Sequence, residues 1–284
     1  MRAARIHSYG DPGVIRTEDV PVPAPGPGEV LIRVVATSMN PTEAALRAGY
    51  LAALLPIELP LTLGWDVAGT VDGAPVLAML DGGAAAEYAV APAAALVPAP
   101  ATVPLADAAV LPLAGMTAWQ AVFEHARVAP GERVLINGAG GGIGGFAVQL
   151  ARHAGAHVIA TASPRSAAAI EADQLLDYTA GPLAVDEPVD VVLNCAAISA
   201  GAAAALPALA RPGARIVTVA TPVPGGRHFV VRNDPADLSA LVKMVDEGAL
   251  RLTITGRRTL NDLPELHRLA ESGGLHGKVV VTVP

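Results

Sequence analysis

Six glycines fall within the eight residues from Gly138 to Gly145, in the stretch NGAGGGIGGFAVQLAR. Glycine loses more backbone entropy on folding than any other residue, about 0.5 to 1 kcal/mol each inside a regular element, so such a cluster needs a steric or ligand-binding reason. The flanks narrow the choice. RVLIN before the run is a short apolar, β-branched strand pattern, and FAVQLARHAG after it carries apolar residues at helical spacing. AHVIATAS then reads as a second buried strand, completing a strand-helix-strand unit of about 30 residues, the context that a dinucleotide fingerprint requires. In this register Ala139, Gly141 and Gly144 hold the three fingerprint positions, with alanine in place of the first glycine. The turn through Gly142 and Ile143 is expected to offer backbone amides and a helix N-terminus to a pyrophosphate.

The end of the second strand bears on the choice of dinucleotide. An NAD site usually places Asp or Glu about 20 residues on, to hold the ribose 2′-hydroxyl. Between Glu132 and Glu171 there is no acidic residue, and the strand ends in Ser163, Pro164 and Arg165. A hydroxyl and a guanidinium suit a 2′-phosphate, so NADPH is the expected cofactor.

At 284 residues the chain suits two compact domains. A net charge of -7 with only two lysines, Lys243 and Lys278, provides no basic stripe for nucleic acid or an anionic membrane, so small molecules are the expected partners. Cys195 is the single cysteine, which excludes an internal disulfide or a Cys-x-x-Cys pair and fits a reducing cytoplasm. MRAARIHSYG lacks the apolar core of a signal peptide, and the apolar run from Tyr88 to Ala106 is broken by four prolines, so no membrane span is expected.

Up to about Pro112 the chain alternates short strands with turns: EVLIRVVATS, WDVAGTV, APVLAML and AAEYAVAP. This reads as an all-β, barrel-like domain, and Asp72-Gly73 between two apolar runs is a two-residue hairpin signal. From LAGMTAWQAV onward helices and strands alternate, implying an α/β domain with a parallel sheet. After about Glu247 come one more strand, a helix NDLPELHRLAESG starting near an Asn cap, and the strand GKVVVTVP, a tail that can return to the first domain. The expected domains are 1–112 plus 248–284, and 113–247.

This order, with NPTEAALRAG, GWDVAGTV, LPLAGMTAWQAV and the glycine run, resembles the medium-chain dehydrogenase/reductase superfamily, specifically its zinc-free quinone oxidoreductase, or zeta-crystallin-like, branch. The resemblance implies a GroES-like β-barrel catalytic domain, a Rossmann NADPH-binding domain and a homodimer. The places where zinc members carry a cysteine and a Gly-His-Glu histidine read Asn40 and Gly64-Trp65-Asp66, so no metal is expected. The implied reaction is hydride transfer from NADPH to a quinone, enone or related conjugated carbonyl. The implied catalytic residues are Asn40, as donor to the developing oxyanion, Thr42, in the place of a hydroxyl relay, and Tyr50, as proton donor or ring-stacking partner. On the cofactor side the resemblance adds Thr117 at the nicotinamide end, and Tyr178 and Lys278 at the 2′-phosphate. The chain is short for the family: the loop around Asp72 is missing, the segment after Arg165 is shortened, and NCAAIS replaces an Asp-containing glycine turn. Two other readings stay open: an NADPH-binding sensor or structural protein without turnover, and a tailoring reductase or cyclase specialised for one natural product.

Overall fold

The structure, a computed structural model, describes residues 1–53 and 57–284, and these form two compact units: Met1–Leu113 with Asn233–Pro284, and Ala114–Arg232. The chain first lays down β1 (Arg2–Ile6), β2 (Ile15–Asp19), β3 (Glu29–Ser38), α1 (Pro41–Ala48), β4 (Leu61–Thr62), β5 (Asp66–Val71), β6 (Ala74–Met79), β7 (Tyr88–Pro92), β8 (Val97–Pro98) and α2 (Leu105–Ala108). Then α3 (Pro112–Trp119), β9 (Arg133–Asn137), α4 (Gly142–His153), β10 (His157–Ala162), the single turn α5 (Pro164–Ala167), β11 (Gln174–Asp177), β12 (Val189–Asn194), α6 (Ala200–Ala205), β13 (Ala210–Thr218) and β14 (Arg227–His228) follow. The return consists of α7 (Pro235–Asp246), β15 (Ile254–Thr259), α8 (Leu263–Glu271) and β16 (Lys278–Thr282).

The first unit carries a three-stranded sheet in the order β2-β1-β4 and a seven-stranded sheet in the order β15-β16-β3-β5-β6-β8, with β7 also paired to β3. This is the barrel-like unit that the strand pattern predicts. Asp72 and Gly73 both adopt positive φ, 49° and 83°, and join β5 to β6 with Val71 opposite Ala74, the tight hairpin that the dipeptide signals. β16 runs antiparallel to β3, so a strand from the end of the chain lies inside the sheet begun by its start.

The return begins at Asn233, earlier than the break near Glu247 that the pattern suggests. The reason is α7, whose Asp246 carboxylate accepts hydrogen bonds from the amides of Ala101 and Thr102 in the first unit. α8 also starts differently from the sequence reading. Thr259 and Asp262 form a capping box around a 3-10 turn that contains Asn261, and the α-helix begins at Leu263.

The second unit is an open parallel sheet in the order β11-β10-β9-β12-β13-β14. Every residue of β12 is buried, as expected for a strand covered on both faces. β10 and β12 flank β9 on opposite sides, which makes β9/β12 the point where the strand order reverses. In such sheets ligands bind outside the carboxyl ends of the strands at that point.

Candidate active site

In the second unit the glycines sort by cause. Gly138 has φ +90°, and a Cβ there would lie 2.8 Å from the Ala196 side chain. A Cβ on Gly144 would fall 2.1 Å from the Gly138 carbonyl oxygen, so helix and turn could not close together. A Cβ on Gly140 would sit 2.6 Å from Ser166 Oγ. Gly141, the N-cap of α4, meets only the Gly138 carbonyl oxygen at 3.3 Å, and Gly145 meets nothing closer than 3.7 Å. Protein sterics thus account for Gly138, Gly140 and Gly144, whereas the half-buried Gly141 leaves open backbone at a helix start, where the first amides lack intrahelical acceptors. Alanine is tolerated at 139 because the left-handed residue is its neighbour, Gly138.

At the end of β10, Ser163 and Ser166 form a reciprocal capping box with their hydroxyl oxygens 3.5 Å apart. Arg165 between them is exposed, and its guanidinium forms no hydrogen bond or ion pair among the described residues. Tyr178 is 53% exposed, and its amide donates to Ala162 O at 3.3 Å, which sets it beside Ser163. Ser166 is absent from the sequence reading. The Gly140 contact that marks it links residues far apart in the chain and leaves no local pattern. Thr117 is buried within α3.

In the first unit the step from β3 to α1 is set by Asn40-Pro41. The residue before proline is held extended, here at φ -122° and ψ 131°, and Pro41 opens the helix. Asn40 sits at the N-cap but makes no capping bond. Its Oδ1 accepts instead from Lys278 Nζ at 2.7 Å, and its Nδ2 donates to Asp66 Oδ2 at 2.8 Å and Glu43 Oε1 at 3.1 Å. Lys278 Nζ also reaches Met39 O at 3.3 Å and Asp66 Oδ2 at 3.5 Å. The Asp66 carboxylate further accepts from Ser38 Oγ and from the Leu113 amide. Gly64, whose positive φ leaves no room for a Cβ against the Ala85 backbone, donates its amide to Glu43 Oε2 at 3.1 Å.

All five side chains of this cluster are at most 4% exposed. Burial, assisted by the Asp66 charge, pushes the Glu43 carboxyl up to about 8. Burial also lowers Lys278 from the usual ammonium range, opposed by the charges of Asp66 and Glu43. Thr42 is exposed on the first turn of α1. Tyr50, 81% exposed, lines a groove of about 640 Å³ together with Gly10, Pro41, Ala44 and Arg47.

Known proteins are similar to this chain in sequence and fold. Residues 26–76 match the alcohol dehydrogenase GroES-like domain, and residues 170–281 match the zinc-binding dehydrogenase family. The chain is 31% identical to the chloroplastic quinone oxidoreductase QR1 of Triphysaria versicolor, over 99% of this chain and 98% of that protein. It matches the structure of the quinone oxidoreductase from Coxiella burnetii with a TM-score of 0.90 at 30% identity, covering 100% of this chain and 99% of that one. The chain belongs to the medium-chain dehydrogenase/reductase superfamily, in its quinone oxidoreductase branch.

Members of this superfamily are oxidoreductases that bind a nicotinamide cofactor, and the glycine turn of α4 fits that group. Fold likeness does not choose the coenzyme. An NAD-dependent alcohol dehydrogenase (28% identity, 100% of each chain, TM-score 0.89) and the mycobacterial protein Rv1454c solved with NADPH (27% identity, 100% of each chain, TM-score 0.83) are both neighbours of this oxidoreductase. Zinc does not fit the barrel of this family member. A lysine ammonium bonds the side chain at the cysteine place, Trp65 packs into the apolar core at the histidine place, and the described residues hold no group of three metal-ligating side chains.

Two site assignments change with this geometry. Lys278 is not a surface cation at a 2′-phosphate: it is 4% exposed inside the barrel unit and bonded to Asn40, Met39 and Asp66. The amide hydrogens of Asn40 are directed at two carboxylates, so the donor expected for a substrate oxyanion is already engaged. Sequence reading names Asn40 from its motif, but the lysine that engages it arrives from the far end of the chain.

Proposed function

We propose that this oxidoreductase uses NADPH, works without zinc, and reduces a quinone, enone or related conjugated carbonyl. One observation supports the cofactor choice: the segment leaving β10 carries no carboxylate, and Arg165, exposed and without a hydrogen bond or ion pair among the described residues, lies between Ser163 and Ser166, while Asp177, in register with Ala162, is bonded to Thr179. A 2′-phosphate would gain charge-assisted hydrogen bonds at such a place, whereas the acid that a ribose 2′-hydroxyl favours is missing. Tyr178, exposed beside Ser163, adds a ring and a hydroxyl at the same strand end.

When bound, the nicotinamide supplies a hydride to the electron-poor carbon of the substrate. The chain's own tasks are then to orient the cofactor, stabilise negative charge on the carbonyl oxygen and return a proton. The glycine turn, including Gly141, Gly142, Ile143 and Gly144, presents backbone amides to the pyrophosphate, and Thr117 is assigned to the nicotinamide end. With the Asn40 amide engaged, the hydroxyls of Thr42 and Tyr50, both exposed on the barrel unit, are assigned to donate to the carbonyl oxygen and to return the proton.

The test is NADPH and NADH consumption against a panel of quinones and enones. Turnover above the uncatalysed rate, faster with NADPH at low cofactor concentration, supports the reading. Cofactor binding without turnover on any panel member would favour a sensor instead.

A further inference from the structure

Three buried polar side chains form a ladder across the carboxyl ends of the three central strands of the nucleotide unit. The Gly138 amide donates to Thr161 Oγ1 at 2.9 Å, and that hydroxyl donates to Asn137 Oδ1 at 2.9 Å. Asn137 Nδ2 donates to Asn194 Oδ1 at 2.8 Å, and Asn194 Nδ2 to the carbonyl of Thr221 at 2.8 Å. Asn137 and Asn194 are the last residues of β9 and β12 and face each other in register, while Thr161 lies one residue from the end of β10. Thr161, Asn137 and Asn194 are 1%, 6% and 0% exposed.

The ladder has one polarity. Each group donates toward Thr221, and turning either amide over would set two acceptors or two donors against each other. Its rungs span β9/β12, where the strand order reverses, so it forms the floor beneath the crevice in which an open parallel sheet takes its ligand. Its first donor is the left-handed residue of the glycine turn. The backbone continues the bracing: the Cys195 amide donates to Asn137 O at 2.9 Å, and Ala196 fills the space that a side chain on Gly138 would need.

We propose that Thr161, Asn137 and Asn194 are positioning residues for the dinucleotide, holding the Gly138 amide inward and the turn rigid so that the first amides of α4 stay set for the pyrophosphate. Networks of this kind are strong when every member is satisfied, and removing one partner leaves buried donors or acceptors unmet. The inference rests on the dinucleotide reading of the turn and does not depend on the choice between NADPH and NADH.

The experiment measures NADPH and NADH dissociation constants and melting temperature for the full chain. Thr161→Val keeps the side-chain shape and deletes the hydroxyl, and Thr161→Ser keeps the hydroxyl. The expected result is a loss of about tenfold or more in cofactor affinity for the valine variant, largely restored by serine. A valine variant that melts earlier but binds the cofactor as wild type does would reduce the ladder to a structural role and overturn the proposal. Should the valine variant not fold, Asn194→Asp decides: it keeps the acceptor toward Asn137, loses the donor to Thr221 and places a carboxyl beneath the crevice. Its cofactor affinity is expected to fall and to become dependent on pH, and wild-type affinity at every pH would overturn the ladder. If wild type itself binds neither dinucleotide, the reading of the turn fails first, before any variant is made.

Discussion

The barrel unit and the nucleotide unit each bury a polar cluster, and the two are built from opposite chemistry. In the barrel, Asn40, Glu43, Asp66, Lys278 and Ser38 bring two carboxyls and an ammonium out of water, and the ionisation of Glu43 and Lys278 shifts accordingly. In the nucleotide unit, Thr161, Asn137 and Asn194 satisfy one another with neutral groups only. A buried charge is tolerated only while its partners stay in place, so the barrel cluster is brittle and sensitive to pH. The neutral ladder has nothing to titrate, and it leaves charge to be supplied at the rim by Arg165.

The largest expected effect breaks the barrel side. Lys278→Met keeps the chain length of the side chain but leaves Asp66 buried without its cation, and should destabilise the barrel unit by about 3 to 5 kcal/mol. Trp65 and Trp119 are the two tryptophans and lie in different units, so urea unfolding in a Trp119→Phe background follows the barrel alone. A loss under about 1 kcal/mol would mean that the ammonium is dispensable and the comparison is false.

Arg165→Ala acts at the rim of the other unit. NADPH affinity should fall by about 1.5 to 3 kcal/mol, the worth of a hydrogen bond to a charged group, while NADH affinity stays nearly constant. At about 1.4 kcal/mol per tenfold, the preference shrinks roughly ten- to a hundredfold. Equal loss of both cofactors in a titration would move the 2′-phosphate away from Arg165.

The gentlest test is the pH slope. Glu43 titrates near 8 in the folded barrel against 4.5 for the ordinary group, so the folded state holds an extra proton between these values. Stability contributed by this group is full below about pH 4.5 and lost as pH rises toward 8, at up to about 1.4 kcal/mol per pH unit. His267 has the opposite sign. Burial, with Arg47 nearby, lowers it from 6.5 to about 4, so its contribution is present above pH 6.5 and lost as pH falls toward 4. Stability of the barrel followed through Trp65 should therefore fall less steeply between pH 4.5 and 8 in Glu43→Gln, whereas a slope unchanged by that substitution would exclude Glu43 as its source.

The contrast also separates what was legible in the sequence from what was not. The glycine turn, the Asp72-Gly73 hairpin and the acid-free end of β10 depend on neighbours in the chain, so their residues announce them. The resemblance sets Lys278 at the 2′-phosphate, and nothing in its chain neighbours corrects that: only the antiparallel pairing of β16 with β3 brings it to Asn40 and Asp66. The ladder was missed for a related reason. Asn137, Thr161 and Asn194 each end or nearly end an apolar strand, where a polar residue marks a boundary, and their convergence follows from the strand order. Ser166 became visible only through the missing side chain of Gly140.

The placement of β16 inside the barrel sheet sets a timetable for synthesis. On the ribosome residues 1–113 emerge first, yet their sheet lacks an inner strand until 278–282 arrive, whereas the nucleotide unit is one continuous segment. Units fold as their segments become complete, so the second unit to emerge is the first able to finish. Until then Asp66 and Glu43 wait in a nascent chain without their cation, and Lys278 is the group that closes the barrel's polar core.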